Sequence, residues 1–196
     1  MKATLRRRAV VRTLLAERGD LLVVAGLGSA AWDCTAAGDS ALTFPLWGAM
    51  GVATMTGLGL ALAQPKRRVL VITGDGEMLM GLGTLATVAV QRPGNLAIAV
   101  IDNERYGETG MQATHTAHGV DLAAVARGCG FGDARVVWRG SGLKAACRAL
   151  RVGAGPVLVQ FKVVAEKLPL SLPPREGALL KSRFRRALLG PGADTE

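Results

Sequence analysis

Two short apolar runs constrain this chain more than anything else in it. Residues 69–73 and 96–101 are rich in Val, Leu and Ile, too short for buried helices, and each closes on a polar cluster: Gly74-Asp75-Gly76 after the first and Asp102-Asn103 after the second. Between them, residues 77–91 have helical length, with Met78, Leu82, Leu85 and Val88 at helical spacing, and Arg92-Pro93-Gly94 stops the pattern. A strand, a helix and a strand in so short a span predict a βαβ unit with parallel strands and a right-handed crossover.

The rest of the chain extends that unit. Residues 4–18 read as an amphipathic helix with its arginines turned away from the apolar face. Residues 21–25 read as a buried strand, 48–63 as a small-residue helix, 121–129 and 142–151 as helices, and 135–137 and 156–163 as strands. Residues 30–47 show no regular pattern, and 104–120 read as a long polar loop of the kind that often carries function. The expected architecture is α/β, a single doubly wound parallel sheet with flanking helices over residues 1–172. A basic C-terminal tail with a helix follows over 173–196. In that helix, residues 178–189, the apolar Leu179, Leu180, Phe184 and Leu188 alternate with Lys181, Arg183, Arg185 and Arg186. The pattern is read as docking on a partner in preference to covering this domain's own core.

At 196 residues the chain is one domain long, and 49% hydrophobic content argues against disorder. A net charge of +9 raises nucleic acid as a partner. No helix-turn-helix, zinc or RNA-binding signature accompanies the charge, and with 4% aromatic residues there is little to stack bases, so no nucleic-acid partner is expected. Cys34, Cys129 and Cys147 form no CxxC pair, which fits a reducing cytoplasm better than a disulfide or zinc framework. The N-terminal segment does not read as a signal peptide, and no apolar run reaches membrane-spanning length, so no membrane partner is expected.

The chemistry gathers at the strand ends, where open α/β sheets bind ligands. Asp75 offers a charged oxygen, Asn103 a neutral one, and the carbonyl of Arg105 a third. Such oxygens suit Mg²⁺, which keeps phosphate oxygens and water in its shell. The glycines beside Asp75 let backbone amides approach phosphate closely. Taken alone, Gly-Asp-Gly is often a tight turn; the matched Asp-Asn pair at the next strand end is what favours a metal. Gly26-Leu27-Gly28-Ser29-Ala30-Ala31 after a strand also fits a dinucleotide fingerprint. Against NAD, no Asp or Glu occurs between Asp39 and Asp75 to meet a ribose, and no orderly helix is expected after the glycines.

Taken in order, Gly48-Ala49-Met50-Gly51, Gly57-Leu58-Gly59-Leu60-Ala61, Gly74-Asp75-Gly76-Glu77-Met78-Leu79-Met80, the run from Asp102 to Gly110, and Gln112 resemble the diphosphate-binding half of thiamin diphosphate-dependent decarboxylases. The resemblance spans residues 44–131 and is of the sulfopyruvate and phosphonopyruvate decarboxylase type. It implies thiamin diphosphate and Mg²⁺ as cofactors, with the metal on Asp75, Asn103 and the carbonyl of Arg105. It places Met50 under the bend of the cofactor and Gly28 and Ser29 near its diphosphate. Gly48, Gly74, Gly76, Glu77, Tyr106 and Gly107 complete the implied cofactor-binding set. Two positions depart from the pattern. Asp102 stands where many relatives have a second Asn. Glu77 stands where a small residue is commoner, and its carboxylate is expected to turn outward or to reach a metal-bound water.

The resemblance also implies a missing half. The glutamate that activates the cofactor sits on a separate pyrimidine-binding domain, so a partner subunit carrying it is expected, in a hetero-oligomer with little activity from this chain alone. The implied substrate is a small anionic 2-oxo acid, converted to CO₂ and an aldehyde; carboligation of the acetolactate synthase type, or a non-catalytic cofactor-binding role, are the alternatives. His115 and His118, the only histidines, follow the metal motif and are candidate proton relays, weighed against plain exposed loop residues.

Overall fold

The computed structural model describes residues 3–194. After helix α1 (Arg7–Leu15) come strand β1 (Leu22–Ala25), α2 (Ser29–Ala36), β2 (Thr43–Pro45), α3 (Ala53–Ala63), β3 (Val69–Gly74), α4 (Asp75–Met80), α5 (Thr84–Gln91) and β4 (Leu96–Asp102). A small hairpin, β5 (Arg105–Tyr106) and β6 (Gln112–Ala113), leads into a 3₁₀ turn at His115–His118. The chain ends with α6 (Leu122–Cys129), β7 (Asp133–Val137), α7 (Leu143–Val152), β8 (Val157–Lys162) and α8 (Gly177–Leu189). Six strands form one sheet in the order β2-β1-β3-β4-β8-β7, and every pairing in it is parallel.

Period-two alternation divides the strands between two cores. Leu22, Val24, Val69, Val71, Leu96, Ile98 and Val100 face one side with residues of α3, α5, α6 and α8. Val23, Ala25, Leu70, Ile72, Ala97, Ala99 and Ile101 face the other with residues of α1, α2 and α7. Both faces are dry, which is why these strands read as unbroken apolar runs. The sheet is doubly wound as expected. The chain leaves β1 toward β2 on one side and reaches β3 on the other, so the topological switch point lies between β1 and β3.

Four local expectations need correction. An orderly helix, α2, does follow the Gly26–Gly28 turn, and β2 follows it; the helix sequence Ser-Ala-Ala-Trp-Asp-Cys-Thr-Ala has no strong apolar stripe to announce it. The expected helix over 77–91 is broken in two at Gly81-Leu82-Gly83. A Cβ at Gly81 would collide with the backbone carbonyl of Gly51, so the break lets two backbones touch. The arginines of α1 are not all outside: Arg7 is buried and donates to Asp33 Oδ2 at 2.6 Å. The tail helix α8 covers this domain's own core. Leu180 and Phe184 are buried, and Phe184 meets Phe44 edge-to-face with ring centroids 5.6 Å apart.

Candidate cofactor-binding site

The carboxyl ends of β1, β3 and β4 open into a pocket of about 160 Å³. Among its lining residues are Ser29, Met50, Gly74, Asp75, Gly76, Glu77, Asn103, Arg105, Tyr106 and Gly107, together with Glu108 and Thr109. The residues singled out at the two strand ends therefore face one cavity. Gly28 lies just behind it, covered by the Glu108 side chain, and Gly48 is exposed outside the lining.

Asp75 is the first residue of α4 and only 2% exposed. Thr114 Oγ1 donates to its Oδ2 at 2.5 Å, and Thr116 Oγ1 lies 3.1 Å from the same oxygen. Thr116 is also 2.9 Å from Thr114 Oγ1 and 2.8 Å from Asp102 Oδ1. Two hydroxyl protons thus serve four oxygen–oxygen contacts, leaving the cluster short of donors. Burial, and then the nearby Asp102 carboxylate, raise the Asp75 pKa above the ordinary carboxylate range. Asn103 Oδ1 accepts from the Arg105 N–H at 2.9 Å, which closes the turn and aims the amide into the pocket. One acceptor oxygen still has a lone pair left for a metal.

Glu77 does not turn outward. It is buried, its Oε2 accepts from Thr73 Oγ1 at 2.7 Å, and its Oε1 has no hydrogen-bond partner. The side chain folds back against Gly26, where a Cβ would fall inside its carboxylate. Desolvation raises its pKa. The Tyr106 ring packs on Gly76, whose Cβ would lie 2.5 Å from Cε1. Glu108 completes the wall over Gly28, and partial burial raises its pKa as well.

These residues fit a divalent cation better than a bare anion. Three acidic residues, Asp75, Glu77 and Glu108, line the pocket against one basic residue, Arg105. A diphosphate alone would meet repulsion there, and a cation between the two removes it. No cluster of three His, Cys, Asp or Glu side chains suited to a metal occurs among the described residues. The oxygens of this lining that could meet a metal are those of Asp75, the Asn103 amide and the Arg105 carbonyl.

The histidines stand apart. His115 and His118 are exposed, and neither lines the pocket. The 3₁₀ turn brings Thr114 and Thr116 inward to Asp75, and His115 between them is thereby directed to solvent. The polar residues that sequence reasoning missed are Thr114, Thr116, Gln160 and Lys162. The first two were legible only as a Thr-x-Thr spacing after the hairpin. The other two end an apolar strand, where the pattern gives no hint of a buried charge. Among the described residues, no helix is long and apolar enough to cross a membrane.

Comparison with known proteins agrees with this geometry. Residues 28–161 match the family described as thiamine pyrophosphate enzyme, C-terminal TPP binding domain. The chain is 48% identical over 112 residues to the sulfopyruvate decarboxylase subunit beta of Methanothermobacter thermautotrophicus, covering 57% of this chain and 60% of that one. It is 38% identical over 191 residues to the phosphonopyruvate decarboxylase of Streptomyces viridochromogenes, covering 96% of this chain and 48% of that one. The matches thus span about half the length of these relatives. A solved structure described as a thiamin diphosphate-dependent enzyme from Mycobacterium smegmatis superposes with a TM-score of 0.69 at 21% identity, over 83% of this chain and 32% of the other. Fold, pocket and sequence agree that this chain belongs to the thiamine pyrophosphate enzymes, as a C-terminal TPP-binding domain.

Proposed function

We propose that this chain holds the diphosphate and Mg²⁺ of thiamin diphosphate within a heteromeric, cytoplasmic 2-oxo acid decarboxylase of the sulfopyruvate or phosphonopyruvate type. The observation that carries the reading is that Asp75 and Asn103, from neighbouring strand ends, line one pocket with Met50. The relatives' names support the proposed substrate class, a 2-oxo acid bearing a second, sulfonate or phosphonate, anion.

Asp75, Asn103 and the Arg105 carbonyl would hold the metal, and the backbone around Gly28, Ser29, Gly74, Gly76 and Gly107 would meet the diphosphate. Met50 would support the cofactor from below. When bound, thiamin diphosphate supplies the electron sink that lets CO₂ leave a 2-oxo acid. The protein's part is orientation, charge neutralisation and exclusion of water. Arg105 is the one basic residue in the pocket lining and would be the group to meet an anionic substrate. The resemblance to this family implies that the activating glutamate comes from a separate pyrimidine-binding domain, so a partner chain carrying one is part of the reading.

The test is co-expression with candidate partner chains, followed by assay of CO₂ release from sulfopyruvate, phosphonopyruvate and pyruvate. Turnover dependent on both chains and on Asp75 supports the reading. Full turnover by this chain alone, or by an assembled Asp75→Ala complex, rejects it.

A further inference from the structure

Asp102 is the first residue of the Asp-Asn pair, at the end of β4, and it is completely buried. A lone carboxylate in that position is strongly unfavourable unless it is neutralised and fully hydrogen-bonded. The structure supplies both. On β8, which pairs with β4 in the register Asp102↔Lys162, Lys162 Nζ donates to Asp102 Oδ2 at 2.9 Å and Gln160 Nε2 donates to the same oxygen at 2.6 Å. The other oxygen, Oδ1, accepts from the Glu104 N–H at 3.0 Å and lies 2.8 Å from Thr116 Oγ1.

Lys162 also holds the far side of the same turn. Its ammonium is 2.5 Å from Glu104 Oε1 and sits over the Trp138 ring, 5.4 Å from the centroid. Glu104 adopts φ +62°, a left-handed conformation that a glutamate keeps only when its surroundings impose it. One lysine therefore grips both Asp102 and Glu104, the residues on either side of Asn103. Through Asp102 it also reaches Thr116, whose hydroxyl touches Asp75. The result is a continuous set of contacts from Lys162 to both side chains placed at the metal.

We infer that Lys162 and Asp102 form a charge-neutral tether that positions Asp75 and Asn103, making Lys162 a positioning residue for the divalent cation. This rests on the proposed reading of the pocket. It also accounts for an acid at position 102, where the resemblance leads one to expect an amide: the carboxylate is workable because a lysine answers it across the sheet. Removing Lys162 takes away the counter-charge and one of the two donors that fix Asp102 Oδ2, and any movement of that side chain disturbs its contacts with the Glu104 N–H and Thr116.

The experiment measures binding of Mn²⁺ in the presence of thiamin diphosphate, by electron paramagnetic resonance of the free ion, to the full chain. Lys162→Met is expected to weaken binding by about tenfold or more. The double variant Asp102→Asn/Lys162→Met is expected to return to within about threefold of wild type, because a neutral pair no longer needs the lysine. Rescue by a second substitution is not what general structural damage would give. Should Lys162→Met fail to fold, Thr116→Val carries the same test: it removes the bridging hydroxyl at nearly constant volume and is expected to weaken Mn²⁺, while Thr116→Ser does not. Unchanged or tighter binding by Lys162→Met, no recovery in the double variant, or unchanged binding by Thr116→Val overturns the tether. Absence of Mn²⁺ binding by the wild-type chain overturns the reading of the pocket itself, and the tether with it.

Discussion

The carboxylate of Glu77 fills the space in front of Gly26, at the point where β1 gives way to its loop. A methyl group at Gly26 would overlap Oε2, and the carboxylate cannot simply swing away because it is buried and bonded to Thr73. Gly26→Ala is therefore expected to destabilise the protein by about 1–3 kcal/mol, the usual cost of overpacking a filled site. Shortening the partner relieves the clash. In Gly26→Ala/Glu77→Ser the two effects should fall short of additivity by at least about 0.5 kcal/mol. Urea unfolding of the four proteins measures this coupling; strict additivity would mean the two side chains do not compete for the space.

The buried Asp75 gives the metal-free protein a specific pH dependence. Its pKa is pushed up to about 6 in the folded chain, against about 4 for an unfolded aspartate. Between those values the folded state binds more protons than the unfolded state, so stability falls as pH rises from about 4 to about 6. Asp75→Asn should remove a part of that fall on the order of 1–3 kcal/mol. Glu77 and Asp33, both also shifted upward by burial, leave a residual slope of the same sign. Unfolding titrations in EDTA across this range check it. An Asp75→Asn protein with the wild-type slope would show that Asp75 is not the group responsible.

What could be read in advance follows from where burial makes a linear pattern. β3 and β4 are apolar on both faces, so they stood out as runs, and the glycine and acid at their ends marked the pocket. Asp75 and Asn103 were legible for that reason, whereas Met50 and Tyr106 entered only through the resemblance. Helix α2 was not, because its buried residues, Ala30, Ala31, Asp33 and Cys34, are small or polar. Asp33 is internal only because Arg7 and Arg8 meet it from α1, with donor distances of 2.6 and 3.0 Å. That pairing joins residues 26 apart and leaves no periodic trace. The inward threonines left no trace for a related reason: the 3₁₀ turn places Thr114 and Thr116 against Asp75 and leaves His115 and His118 exposed outside the pocket lining.

The tail helix contributes to stability through Phe184. The residue is 8% exposed, and its ring meets Phe44 of edge strand β2. Phe184→Ala is expected to cost about 3 kcal/mol, from lost burial and the void left behind. Equilibrium unfolding in urea measures it. A loss below about 1 kcal/mol would mean that α8 does not rest on this core and is available to another chain.

Thiol chemistry should separate the three cysteines. Cys34 is buried, and desolvation, then the neighbouring Asp33, push its thiol up to about 12. The thiolate is the reactive form, so Cys34 should resist alkylation until the chain unfolds. Cys129 is partly exposed and should react first, while burial slows Cys147. Iodoacetamide labelling of native protein, read by peptide mass spectrometry, tests the order. Labelling of Cys34 at the rate of Cys129 would contradict the packing of α2 on α1.

Glu108 should oppose the ligand that its own pocket is proposed to hold. Its carboxylate lies over Gly28; a Cβ on that glycine would sit 3.0 Å from Oε1. Gly28 and Ser29 begin α2 and are among the residues read as meeting the diphosphate, so an anion arriving there meets a negative charge already in place. Partial burial raises the Glu108 pKa, and the Arg7 charge works in the opposite direction. Glu108→Gln keeps the shape and removes the charge. It is expected to tighten thiamin diphosphate binding, at fixed Mg²⁺, by about threefold to tenfold. Isothermal titration of wild type and variant measures this directly. A gain in affinity is not what a damaged fold would give, so weaker or equal binding by Glu108→Gln would mean that the hairpin carries Glu108 clear of the diphosphate and that the carboxylate has another task in the pocket.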